Sequence, residues 1–239
     1  MDNGENPEFR NKCLMAKNMV MKKFLALVLL VAVSVAVYAQ TKKVSVMGDS
    51  YSTYSGFIPE GYAVYYPNPG VDVNDPSQTW WNLYVKTMGY QLEKNDSWSG
   101  STICTTGYGG RDASNSAFIS RIDSLGRPDI IFVFGATNDS WANSPIGEYK
   151  YSKWTKEDLK TFRPALAYLL KGLKKKYKKA KIYAILNSEL KNEINESFRT
   201  ICKRYKVSLI ELHDIEKQSG HPSIKGMQSI CDQLVDATR

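Results

Sequence analysis

Gly48-Asp49-Ser50 ends the apolar stretch Val44-Ser45-Val46-Met47 and so puts a serine hydroxyl where a buried strand gives way to a turn. Open α/β folds assemble their sites at the carboxyl edge of the sheet, which makes Ser50 a candidate nucleophile. Gly, Asp and Ser are also ordinary turn residues, and a serine hydroxyl is weak without a base to take its proton. The chain holds two histidines, His213 and His221. His213 closes an apolar run, where packing or solvent exposure is the default. His221 is followed by Pro222, Ser223 and Gly226, the pattern of a loop entering a helix with proline at an early position. Two further segments stand out: the lone Gly100 after Asn95-Asp96-Ser97-Trp98-Ser99, and Gly135-Ala136-Thr137-Asn138-Asp139 after a second apolar run.

The elements that must carry these residues alternate. Strands are expected at 43–47, 91–94, 129–134, 181–186 and 207–212, the third and fourth being nearly continuous apolar runs suited to a parallel sheet covered on both faces. Leu190, Ile194, Phe198, Ile201 and Tyr205 share one helical face; Leu159, Phe162, Leu166, Leu169 and Leu173 share another. Pro164 kinks the second helix or marks its true start. Trp80-Trp81 opens an amphipathic helix with at least one indole in the core. Between Ser52 and Ser77, five aromatics alternate with four prolines, a long loop that either covers the site or packs itself down.

The chain is long enough, at 239 residues, for one sizeable core. Residues 1–39 read as an N-terminal extension and signal peptide: Lys22-Lys23 precede an apolar run from Phe24 to Val37, and Val37-Tyr38-Ala39 invites cleavage before Gln40. That run is short for a membrane span, and no cysteine follows it to take a lipid. Export to a periplasmic or extracellular space is the expectation, with 40–239 as the single folded domain. Of the cysteines beyond the signal, Cys202 and Cys231 could bridge or stay as buried thiols. No spacing suits a structural metal; Asp72, Asn74 and Asp75 lack the remaining ligands of a calcium loop. The net charge of +8 falls to +6 without residues 1–39, and much of it lies in a lysine cluster at a helix end between Lys171 and Lys181. Nucleic-acid binding would want aromatics and basic residues interleaved on one surface, whereas these lysines crowd a helix end, where cations suit the macrodipole and solvent.

Ser50, Gly100, Asn138 and His221 occur in the order of the SGNH, or GDSL-type, hydrolases, and the chain resembles that family from about Lys42 to Leu234. The resemblance implies a three-layer α/β/α sandwich on a mostly parallel, five-stranded, flavodoxin-like sheet, and a serine esterase that needs no cofactor. It makes Ser50 the nucleophile and His221 the base, and assigns the N–H groups of Ser50 and Gly100 and the Asn138 amide to an oxyanion hole. One position departs from the family: the Asp usually found three residues before the histidine is Gln218. Gln218, Asp214, Glu216 or a main-chain carbonyl could orient the imidazole instead. Tyr51, Trp98 and Trp141 are possible substrate contacts, since aromatics beside the site suit sugar rings or acyl chains. The expected activity is removal of a short, acetyl-like group from a carbohydrate or other acylated small molecule. A lysophospholipase or thioesterase, a non-catalytic glycan binder and a phosphate binder built on Ser50-Tyr51-Ser52-Thr53 are the alternatives.

Overall fold

The computed structural model describes residues 41–239 and, before them, residues 8, 15 and 17–24. The chain divides into two compact units, Met1–Thr41 and Lys42–Arg239. In the first, residues 17–24 are helical although the sequence there shows no clear period; Lys and Met are good helix formers on their own account. The rest of the expected signal, with its Ala39–Gln40 junction, lies outside the described residues. Among those described, no helix is long and apolar enough to cross a membrane.

The second unit is built on five parallel strands: β1 (Lys43–Gly48), β2 (Gln91–Asn95), β3 (Ile130–Phe134), β4 (Lys181–Leu186) and β5 (Ser208–Glu211). Their spatial order is β2-β1-β3-β4-β5, the flavodoxin-like order. Each expected strand is present, with ends shifted by a residue or so. The sheet is covered on both sides because alternate side chains of its central strands are apolar on both faces. Met47, Ile131, Val133, Ala184 and Leu186 pack under α3 (Phe162–Lys176) and α4 (Asn192–Tyr205). Val46, Phe132, Phe134, Tyr183 and Ile185 pack under α1 (Trp80–Met88) and α5 (Ile224–Thr238), with the short α2 (Thr137–Trp141) following β3. Pro164 is the third residue of α3, so it marks the start of the helix. Cys202 joins the first cluster and Cys231 the second, so the sheet lies between them and both thiols are free.

The 53–79 loop is core as much as cover. Tyr54, Tyr66, Val71 and Val73 are buried in the cluster of α1 and α5. Its acidic residues serve the backbone: Asp72 Oδ1 accepts from the N–H of Ile224 at the start of α5 (2.8 Å), and Asp75 caps the turn at Pro76–Gln78. A feature with no sequence signal is the hairpin of β6 (Lys217–Gln218) and β7 (His221–Pro222), two residues a side and therefore too short to show a period.

Arg121, almost wholly buried, ties the sheet edge together. Its guanidinium donates to the main-chain oxygens of Asp96, Gly48 (3.3 Å) and Ser116 (3.1 Å), to Ser101 Oγ (3.2 Å) and to the buried Asp96 carboxylate (3.3 Å). Removing one member of a buried ion pair strands the other, at a cost of about 3–5 kcal/mol. Arg121→Met is therefore expected to lower unfolding free energy in urea by about that amount. A loss below about 1 kcal/mol would mean that Asp96 is satisfied by other groups.

Candidate active site

Ser50 sits where β1 ends beside β3, at the point where the strand order reverses direction. The Asp49 N–H still pairs with Phe134 O (3.3 Å), and then Asp49 Oδ1 accepts from the N–H of Tyr51 (3.1 Å) and turns the chain into one 3-10 turn, Ser50–Ser52. Three donors clamp the far side of this turn: Trp80 Nε1 to Ser52 Oγ (3.2 Å), and Trp81 Nε1 (2.9 Å) and Asn95 Nδ2 (2.7 Å) to Ser52 O. Both indoles opening α1 are thus buried and also hold the serine turn. Gly48 is required by close approach, since a Cβ there would lie 2.5 Å from Ser97 Oγ and 2.6 Å from Ser52 Cβ.

His221 is delivered by the β6–β7 hairpin. Ser219 and Gly220 form its two-residue loop with φ of +48° and +76°, as a tight hairpin turn of this hand requires. That loop aims Ser219 O at His221 Nδ1 (3.2 Å), while His221 Nε2 lies 2.9 Å from Ser50 Oγ. A carbonyl can only accept, so Nδ1 carries the proton and Nε2 is free to accept from the serine hydroxyl. Burial holds the His221 pKa below its ordinary 6.5, opposed by the Ser219 hydrogen bond. The ring is enclosed by Tyr65, stacked face to face (centroids 3.5 Å, 8° between planes), with Tyr51, Tyr66 and Trp141 tilted or edge-on.

The expectation that Gln218 or Asp214 orients the histidine is corrected by these contacts. The Gln218 amide faces the loop, with Oε1 accepting from Asp72 N–H (2.8 Å) and Nε2 donating to Asp72 Oδ2 (3.3 Å). Asp214 pairs with the exposed His213 (2.9 Å), which does not approach Ser50, and Glu216 accepts from Ser223 Oγ (2.6 Å). In a hairpin Gln218 stands opposite His221 in the backbone register, yet its side chain is spent on Asp72.

The other two segments close around the same point. The Trp98 N–H donates to Gly48 O (3.0 Å), which keeps the chain after β2 beside the nucleophile strand as far as Gly100. Gly100 has φ +79° and no protein atom near a would-be Cβ, so its glycine is required by backbone conformation. Neighbouring amides are all used within the protein, whereas those of Ser50 and Gly100 have no acceptor among the described residues. Asn138 is locked: Nδ2 donates to Ser101 O (3.0 Å) and Oδ1 accepts from Tyr108 OH (2.7 Å), leaving the second amide hydrogen for a bound oxygen. Tyr108 lies in the glycine-rich 107–110 stretch, where composition alone does not single it out.

Of the possible substrate contacts, Trp141 is 45% exposed beside Tyr51 and His221. Trp98 is half-buried and already stacked on Tyr62 (4.0 Å, 28°). Tyr51 is corrected: it is fully buried, its OH donating to Gly220 O (2.6 Å), so it braces the histidine hairpin and does not face a ligand.

Two acids lie buried beneath the site. Burial pushes Asp49 up to about 7, opposed by the Tyr51 N–H and reinforced by the nearby Asp139, and pushes Asp139 up to about 6 against the N–H groups of Ile103 and Cys104. A carboxyl whose folded pKa exceeds its unfolded value destabilises the fold progressively as pH rises between the two. Asp49→Asn is therefore expected to stabilise the protein by roughly 1–3 kcal/mol at pH 8 and by nothing at pH 4, read from urea unfolding at both values. Equal effects at both would show that Asp49 does not titrate in this range.

The GDSL-like Lipase/Acylhydrolase family model matches residues 42–238. A protein described as a GDSL-like lipase from Bacteroides ovatus ATCC 8483 is 53% identical, over 82% of this chain and 97% of that one, with a TM-score of 0.82. A second, from Bacteroides uniformis ATCC 8492, is 50% identical over 84% and 97%, with a TM-score of 0.83. An acetyl xylan esterase from the rumen bacterium Butyrivibrio proteoclasticus shares the fold at 19% identity, over 82% and 62%, with a TM-score of 0.52. No curated protein matches the chain. With nearly all of Lys42–Arg239 matched, the chain belongs to the GDSL-like lipase/acylhydrolase family and is a serine ester hydrolase.

Proposed function

We propose that the protein is an exported esterase that removes short acyl groups, acetyl above all, from carbohydrate, with Ser50 as nucleophile, His221 as base and no acidic third member. The observation that carries the chemistry is the 2.9 Å contact between Ser50 Oγ and the one imidazole nitrogen left free to accept. Ser50 Oγ bonds to the acyl carbon as its proton passes to His221 Nε2. The carbonyl oxygen becomes an oxyanion that takes hydrogen bonds from the Ser50 and Gly100 amides and Asn138 Nδ2. As the ester C–O bond breaks, Nε2 returns the proton to the leaving alcohol. Water then repeats the two steps, releases the carboxylic acid and restores the serine.

The carbohydrate reading is supported by the surroundings. What flanks the pair is the exposed Trp141 and the partly exposed Tyr108, planar groups suited to a sugar ring. Export rests on the charged-then-apolar N-terminal sequence, and an N-terminus at Gln40 on secreted protein is the corresponding result.

Ser50→Ala is expected to abolish hydrolysis and labelling by a serine-directed fluorophosphonate, and the parent to prefer p-nitrophenyl acetate and acetylated xylan over octanoate esters and lysophosphatidylcholine. Preference for the long chains would favour the lysophospholipase alternative. In kcat/KM, activity should appear as His221 loses its proton, with an inflection below about 6.5 that His221→Ala removes and His213→Ala keeps. Asn138→Ala should cost about 10²- to 10³-fold in kcat, and Tyr108→Phe, which frees the amide to rotate, roughly tenfold, both with KM little changed. An effect of Tyr108→Phe on KM alone would make it a substrate contact.

A further inference from the structure

His221 becomes a cation while Ser50 attacks, and a buried cation needs a partner. The usual carboxylate is missing here. Among the described residues no acid bonds to His221: Asp72 bonds to Ile224 and Gln218, Asp214 to His213, Glu216 to Ser223, Glu189 to Lys217, and Asp49 through one oxygen to the Tyr51 N–H. The Nδ1 partner, Ser219 O, is neutral. What lies flat against the ring is Tyr65, with centroids 3.5 Å apart and planes within 8°. Its place is enforced from behind, where its N–H donates to Thr53 Oγ1 (2.9 Å) and its ring meets Tyr66 edge-on at 4.9 Å. Tyr66 is itself buried and donates to Pro222 O (2.8 Å), on the strand that carries His221. The long loop and the histidine hairpin therefore form one assembly, and the stacked ring cannot drift without moving both.

Resting on the reading of His221 as base, we propose that Tyr65 takes the place of the absent acid: the π face of its ring stabilises the His221 imidazolium and fixes the plane in which Nε2 meets Ser50 Oγ. The negative face of an aromatic ring attracts a cation, more strongly where water is excluded. The proton still travels from Ser50 Oγ to Nε2 and on to the leaving alcohol; Tyr65 exchanges none. The contact is present before attack and gains strength only when charge develops, so it acts on the transition state and not on ground-state binding. Tyr51, Tyr66 and Trp141, farther off and inclined, complete the enclosure. The titratable groups around the ring are Tyr51, Tyr65 and Tyr66, whose hydroxyl pKa values burial raises, with Asp49 and Glu189 acting on Tyr51 and Asp72 on Tyr66 from behind.

The test compares Tyr65→Leu with Tyr65→Phe in the full-length protein on p-nitrophenyl acetate. Tyr65→Leu is expected to lower kcat about three- to thirtyfold with KM within about twofold, and to move the acidic inflection of kcat/KM downward by about 0.4–1.5 pH units, because the cation has lost its support. Tyr65→Phe keeps the face and should recover the parental kcat and inflection to within about twofold and 0.3 units. A merely covering role predicts the opposite movement: without the ring, water reaches His221 and the inflection rises. Fluorinated phenylalanines placed at position 65 keep the shape while draining the π face, so kcat should fall with each fluorine even if Tyr65→Leu fails to fold. A flat fluorine series, or an inflection that moves upward in Tyr65→Leu, would overturn the role of Tyr65 while leaving Ser50 and His221 in place. Failure of the parent to label with fluorophosphonate would overturn the underlying reading, and the Tyr65 role with it.

Discussion

One buried guanidinium sets the geometry from which the rest follows. Arg121 reaches Gly48 at the end of the nucleophile strand, Asp96 where the neighbouring strand ends and Ser101 beside Gly100. Ser101 in turn receives the Asn138 amide through its carbonyl. Gly48, Asp96 and Ser101 thus converge on one planar fork, and a fork of fixed shape allows them one mutual arrangement. Lysine, a point charge on a flexible stem, could neutralise Asp96 but could not set those angles. The segments that carry Ser50, Gly100 and Asn138 are linked through this buried group as much as through the sheet.

The remaining member arrives differently. His221 lies on a hairpin only two residues a side, which has little stability of its own. It is held by tyrosines: Tyr51 OH on Gly220 O, Tyr66 OH on Pro222 O, and Tyr65 against the imidazole. Asp72 and Gln218 add a polar clasp between loop and hairpin, and Asp72 extends it to the first N–H of α5. The proline and tyrosine content of the 53–79 loop has its explanation here. Stiff backbone and long, flat side chains with a polar tip can cross from one surface element to another and still end in a hydrogen bond.

The parts of this architecture visible in the sequence are those governed by period and composition. The five strands show as apolar runs, the faces of α3 and α4 as repeats of three and four, and Ser50 as the polar residue where such a run stops. The strand-to-strand order came with the family pattern and not from any local signal. A main-chain carbonyl is among the candidates the sequence leaves open for orienting His221, but which carbonyl is illegible because every residue possesses one; only the left-handed turn at Ser219 and Gly220 singles it out. Gln218 misled by occupying the right place in the chain with its side chain turned toward Asp72. Tyr51 misled likewise, since adjacency to the nucleophile does not say whether a ring faces solvent or core. Tyr65 and Tyr108 act through contacts with residues 156 and 30 positions away, which no local pattern records.

The three cysteines of Lys42–Arg239 are single thiols set in the packed layers, Cys104 and Cys202 on one side of the sheet and Cys231 on the other. Burial raises all three above the ordinary thiol pKa, so little thiolate is available for exchange. The folded unit consequently has the same covalent structure in a reducing cytosol and in an oxidising periplasm. Its maturation asks nothing of disulfide-forming enzymes, and its tolerance of reductant is a property of where the sulfur atoms are packed.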